Sequence, residues 1–205
     1  MVSSVSGAAA PSAASETIGG IEVGAWNKLA YSQVPTDCDR LAAYAPDRDA
    51  VSPPMAHEEI DVPRAIQACR QAITHEPANP RFHYQIARLL GYAKDPAGAQ
   101  SERLIAARAG YPSSLYVLGF VRAFSASAPD RCSGAQLIRL AADRGAFAGQ
   151  VGLANYQLDG SFAGCPAAAD KATLLALLGK AARGAKGHFE DLLVASLKRE
   201  AAALP

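Results

Sequence analysis

The sequence predicts an all-α chain built as a solenoid of antiparallel helix hairpins, and three observations predict it. First, a phrase recurs: Ile105-Ala106-Ala107-Arg108-Ala109-Gly110 is echoed by Leu140-Ala141-Ala142-Asp143-Arg144-Gly145 and, less closely, by Lys180-Ala181-Ala182-Arg183-Gly184. The alanine pairs begin at 106, 141 and 181, steps of 35 and 40 residues, the period of stacked two-helix units. Second, half of the chain is apolar but only 7% is aromatic, so the core rests on Ala, Leu, Ile and Val. Alanine in that abundance favours helices, because it loses no side-chain entropy on entering one, and lets them approach closely. Third, no strand-type alternation stands out.

Taken in order, residues 1–20 read as a disordered Ala/Ser-rich tail. Residues 21–60 read as an N-terminal capping segment, with a short helix over about 37–45 that Asp37 caps. Pro46, Pro53 and Pro54 predict a loop before Glu58. The helical repeat domain spans 61–203. Its first hairpin, about 61–93, opens at Asp61-Val62-Pro63, an acidic cap with proline in the first turn. Ala65, Ile66, Cys69, Ala72 and Ile73 then share one helical face. Pro77-Ala78-Asn79-Pro80 turns the chain into a second helix. Further hairpins are predicted at about 96–126, 132–160 and 167–203, with Gly160 as a helix stop.

The net charge of +1 argues against a general nucleic-acid binder, but the charges are segregated. Residues 1–80 hold five Lys/Arg against ten Asp/Glu, whereas residues 81–144 hold nine against four, eight of the nine being arginine. Two readings follow. Either the acidic N-terminal part packs on the basic repeats, or the arginines form a surface for an acidic partner, since guanidinium forks suit carboxylate and phosphate. No stretch has the length of a membrane span. Met1–Gly20 lacks the basic start and apolar block of a secretory signal, yet Met1–Ser15, almost all Ala, Ser, Val, Gly and Pro, resembles the start of a mature exported chain.

Four cysteines stand at 38, 69, 132 and 165. None forms a CxxC or has a histidine at metal-ligand spacing, which argues against a zinc site. Cys132 falls early in a hairpin's first helix and Cys165 just past its second, so an antiparallel hairpin brings them together. Cys38 is placed to tie the N-terminal segment to Cys69. Two such disulfides imply a periplasmic or extracellular location; the alternative is four reduced thiols in the core.

These phrases resemble Sel1-like repeats, relatives of the tetratricopeptide repeat. That family pairs two alanines before a turn glycine and sets a small residue in the second helix. Ala106, Ala107 and Gly110 are followed here by Leu118-Gly119, and Ala141, Ala142 and Gly145 by Leu153-Ala154. A third unit keeps Ala181 and Ala182, with its turn ambiguous between Gly184 and Gly187. Glu102-Arg103 and Leu137-Ile138 replace the family's usual aromatic pair. The resemblance covers about 61–203 and implies a right-handed α-solenoid that binds proteins and needs no cofactor.

The residues that carry chemistry elsewhere read as structural. His57, His75, His83 and His188 form no set with a nucleophile. Ser113-Ser114 lacks a G-x-S-x-G elbow, and Glu58, Glu59 and Asp61 read as a solvated helix entrance. The remaining candidates lie on the polar sides of first helices: Gln100, Glu102 and Arg103 in one unit, Gln136 and Arg139 in the next, with Arg103 and Arg139 in register for an arginine ladder. The expectation is a non-enzymatic, exported bacterial adaptor, scaffold or regulator that binds another protein. The alternative is an accessory subunit of an envelope complex or enzyme assembly, docking an acidic partner through the arginine-rich face.

Overall fold

The computed structural model describes residues 15–205. It is predominantly helical, with nine α-helices among the described residues and one small β-hairpin. The predicted disorder of residues 1–14 lies outside the described residues, but that of residues 15–20 is corrected. Strands β1 (Glu16–Ile18) and β2 (Ile21–Val23) pair antiparallel, with Ile18 opposite Ile21. Gly19 and Gly20 both take positive φ, 53° and 78°, the pairing a two-residue hairpin turn requires. What reads as a flexible diglycine is thus the turn itself, and the strict all-α expectation gives way by these few residues.

Helix α1 (Asp37–Ala42) is capped by Thr36 rather than Asp37. The Thr36 side chain accepts from the Asp39 backbone N–H, and Asp39 reaches back to the cap, a reciprocal box that satisfies two orphan donors. Helices α2 (Val62–His75) and α3 (Pro80–Tyr92) carry side-chain caps from Asp61 and Asn79 and proline in their first turns. Then follow α4 (Pro96–Arg108), α5 (Pro112–Ala123), α6 (Ala128–Asp143), α7 (Phe147–Leu158), α8 (Lys171–Gly184) and α9 (His188–Ala202). Ser127 starts α6 four residues before the predicted 132, and Asp170 delays α8 to Lys171. Gly187, at φ 84°, resolves the ambiguous turn in its own favour.

Each helix from α2 onward packs on the next, and short connections fold it back on its predecessor. The most extensive seam lies between α5 and α6, across the predicted hairpin boundary. Its cause is small residues: a Cβ on Gly119 would stand 2.8 Å from the Gly134 carbonyl oxygen, and one on Gly134 2.6 Å from the Ala123 nitrogen. The two backbones therefore approach as closely as side chains normally forbid. Alternate helices also touch: α7 meets both α5 and α9.

Both expected disulfides are present. Cys38–Cys69 joins α1 to α2, and Cys132–Cys165 joins α6 to the loop after α7. Each closes a chain loop, of separation 31 and 33 residues, and is worth about 3–4 kcal/mol through the unfolded state. None of the helices is long and apolar enough to cross a membrane, among the described residues.

Candidate functional site

Beside two of the residues expected on a binding face, Gln136 and Arg139, the helices already hold part of the chain. The β-hairpin lies against α4 and α6. Ile18, Ile21 and Val23 bury their side chains among Ala107, Leu115, Leu118, Leu137 and Ala141. Polar ties fix the ribbon at both ends. The Gly24 N–H donates to the Arg108 carbonyl at 2.8 Å, Arg144 pairs with Glu16 at 3.6 Å, and Arg122 donates to the Gly19 carbonyl at 3.0 Å. Gly110 is obligatory on two counts. Its φ is 83°, and a Cβ there would sit 2.5 Å from the Gly24 carbonyl oxygen.

From α1 onward the N-terminal segment continues as a strap across the helix array. Arg81 and Asp39 form an ion pair of 2.7 Å with both side chains buried, and Arg81 also donates to the Ser32 carbonyl. Arg88 donates to the Ala42 carbonyl and lies 3.9 Å from the centre of the Tyr44 ring. Asp47 is buried at the start of α5, where it accepts from the Tyr111 hydroxyl at 2.6 Å and the Ser113 hydroxyl at 2.9 Å. Arg48 stacks on the Phe147 ring that opens α7 and pairs with Glu190 in the first turn of α9. The charge asymmetry of the sequence is therefore spent largely within the molecule: Arg81, Arg88, Arg122 and Arg144 all hold the N-terminal segment.

Several ionisable groups feel this packing. Burial pushes the Asp47 carboxyl up, against the pull of its hydroxyl donors. Asp49 is pushed up to about 6, by burial first and then by the charge of Asp47. Asp39 goes the other way: burial opposes its ionisation, but the hydrogen bonds and charge of Arg81, with those of Thr36, outweigh it. His83 sits buried in α3 between the Glu102 carboxylate, 2.6 Å from Nδ1, and the Pro77 carbonyl, 2.8 Å from Nε2. Burial again opposes the charged form, but these two acceptors prevail and raise its pKa.

The five residues expected on a binding face separate into two sets. On α4, Glu102 is turned to His83, and Arg103 is half-buried with its guanidinium donating to Gln100. On α6, Gln136 and Arg139 line an open cavity of about 470 Å³ beside the hairpin, together with Thr17, Leu140, Asp143 and Ala167. Arg139 pairs with Asp143 one turn on. Arg103 does not line that cavity, so it and Arg139 have different surroundings.

Sequence reasoning also missed an aromatic face. Tyr116 and Phe120 on α5 and Phe124 at its C-cap recur every fourth residue and meet Tyr156 of α7, with Phe124 65% exposed. The four-residue spacing was its available signal. Among the described residues, no group of three His, Cys, Asp or Glu side chains is placed to hold a metal ion. No protein-family model, curated protein or solved structure matches the chain.

Proposed function

We propose that this chain is an exported, non-enzymatic adaptor whose helices form a Sel1-like solenoid and whose groove beside β1 holds another protein. The observation that carries the reading is the serial stacking of α2 through α9, which leaves an open groove lined by Gln136 and Arg139 next to the hairpin. Helical arrays of this type present extended surfaces rather than enclosed reaction chambers. The two disulfides support a location outside the reducing cytosol.

The alternative, an envelope-complex subunit that docks an acidic partner through an arginine-rich face, draws less support. Four of the arginines it needs are engaged by the chain's own N-terminal segment. The adaptor reading is tested by cross-linking intact cells of the source organism and purifying the tagged full chain under denaturing conditions. A discrete protein adduct is expected, weakened by Arg139→Glu and unaffected by Lys180→Glu. No adduct, or one insensitive to Arg139→Glu, would overturn it.

A further inference from the structure

Among the described residues no further strand pairs with either outer edge of the β-hairpin, and the outer edge of β1 faces the cavity. Across the two-residue turn Ile18 and Ile21 close the ladder as a hydrogen-bonded pair. The next pair, Thr17 and Glu22, is then the non-hydrogen-bonded kind, whose N–H and C=O groups point away from the partner strand. On β1 the outward groups belong to Thr17, and Thr17 lines the cavity of about 470 Å³ together with Gln136, Arg139 and Leu140. A donor and an acceptor at the lip of an open groove are a template for a further strand.

We propose that this groove binds its partner by strand addition: an extended peptide segment pairs with the free edge of β1 at Thr17 and lies over α6 towards the Pro166-Ala167 loop. The inference rests on the adaptor reading and names the chemistry of its partner. Continuity with an existing interface argues for this occupant. The adjoining stretch of the same face, over α4 and α6, already accommodates an extended ribbon, which buries Ile18, Ile21 and Val23 on helix alanines and leucines. An added strand lies about 4.8 Å beyond β1, where alternate side chains meet Leu140 and Ala167 and the backbone passes Gln136. The Arg139–Asp143 pair is partly exposed, at 32% and 49% of the side chains. An exposed ion pair of that kind is weak, so both groups are free to turn to polar atoms of the incoming peptide.

The test is selection of phage-displayed random dodecapeptides on the intact, oxidised protein, followed by titration of the enriched peptides into wild-type chain and Thr17→Pro. Proline removes the outward N–H and leaves the β1–β2 ladder with its bonds, the position an edge strand tolerates. Enriched peptides are expected to show alternating apolar residues and to lose about tenfold or more in affinity for Thr17→Pro, the effect of one lost backbone hydrogen bond. As a check that does not depend on the variant, the Thr17 amide of the wild-type chain should exchange fast with solvent when free and slowly with peptide bound. Peptides that bind Thr17→Pro equally well or leave Thr17 exchange unchanged would overturn strand addition while leaving the adaptor reading standing, whereas peptides that map to the Phe120–Phe124 face would overturn both. A concentration-dependent dimer abolished by Thr17→Pro would assign the edge to a second copy of the chain and overturn the peptide.

Discussion

Asp49 and Asp47 stand two residues apart in a strap that local sequence marks only as a proline-flanked loop. Both carboxyls are held above their usual range because α5 and the strap's own neighbours take them out of water. The folded state thus binds a proton at Asp49 more tightly than the unfolded chain does. The resulting stability is fully present below the ordinary carboxylate pKa and is lost as pH rises through about 6. His83, also raised, adds a loss over a higher window, from the ordinary imidazole value upward. Asp39, lowered by Arg81, acts oppositely: its contribution is present above the ordinary value and is lost on acidification. Thermal melts should therefore show a midpoint falling from pH 5 to pH 8. Asp49→Asn should flatten the lower part of that fall and His83→Gln the upper part; a midpoint that rises over this range would contradict the assignment. Asp39→Asn, which strips the buried Arg81 of its counter-charge, should cost about 3–5 kcal/mol in denaturant unfolding. None of these burials was legible at the residue scale. Those of Asp39 and Asp47 arise only when segments more than forty residues apart meet, and that of His83 only when α3 packs on α4; the one sequence signal was the bulk segregation of acid from arginine.

Helix boundaries were legible where a cap or proline enforces them, as at Asp61, Pro80, Pro96 and Gly187. Not every such signal was read: Ser127 caps α6 and Pro129 stands in its first turn, yet the start was placed at 132, a turn late. The hairpin was missed because three-residue strands are too short to show alternation and a diglycine reads equally as slack or as a tight turn. The repeat phrase did locate the small residues that matter. Gly119 lies where a Cβ would strike the Gly134 carbonyl, so Gly119→Ala should destabilise by about 1–3 kcal/mol through overpacking. Gly179, inside α8, has only the Arg183 guanidinium near a built Cβ, at 3.9 Å. Gly179→Ala should stabilise by about 0.5–1 kcal/mol from helix propensity. Denaturant unfolding of the pair reads both signs, and equal effects would show that crossing distance does not govern the seam. The two segments that sequence reasoning called a tail and a cap are, from β1 to Asp49, a continuous lining of the helical array. Packing of the acidic segment on the basic repeats was one of the two readings its charge allowed; the seat of the hairpin was not legible, because only the alternate helices α4 and α6, once stacked, create the wedge that receives it.

Taken whole, the molecule is a helical stack with one disulfide at its N-terminal end and one between α6 and the loop after α7, laced by its own acidic N-terminal segment. Mass spectrometry after alkylation of the denatured chain should add no label before reduction and four labels after it, since no free cysteine remains. Cys132→Ser with Cys165→Ser should lower stability by about 3–4 kcal/mol and leave the Cys38–Cys69 bond intact. The same lacing uses up much of the arginine-rich surface, and the groove beside β1 is the proposed seat for a partner. Site-specific photo-crosslinking in the source cells tests that most directly, with the reactive residue placed in turn at Gln136, Arg139, Gln100 and Phe124. The account predicts one protein adduct from Gln136 and Arg139 and none from Gln100 or Phe124. An adduct from Phe124 alone, or none from the groove positions, would contradict it.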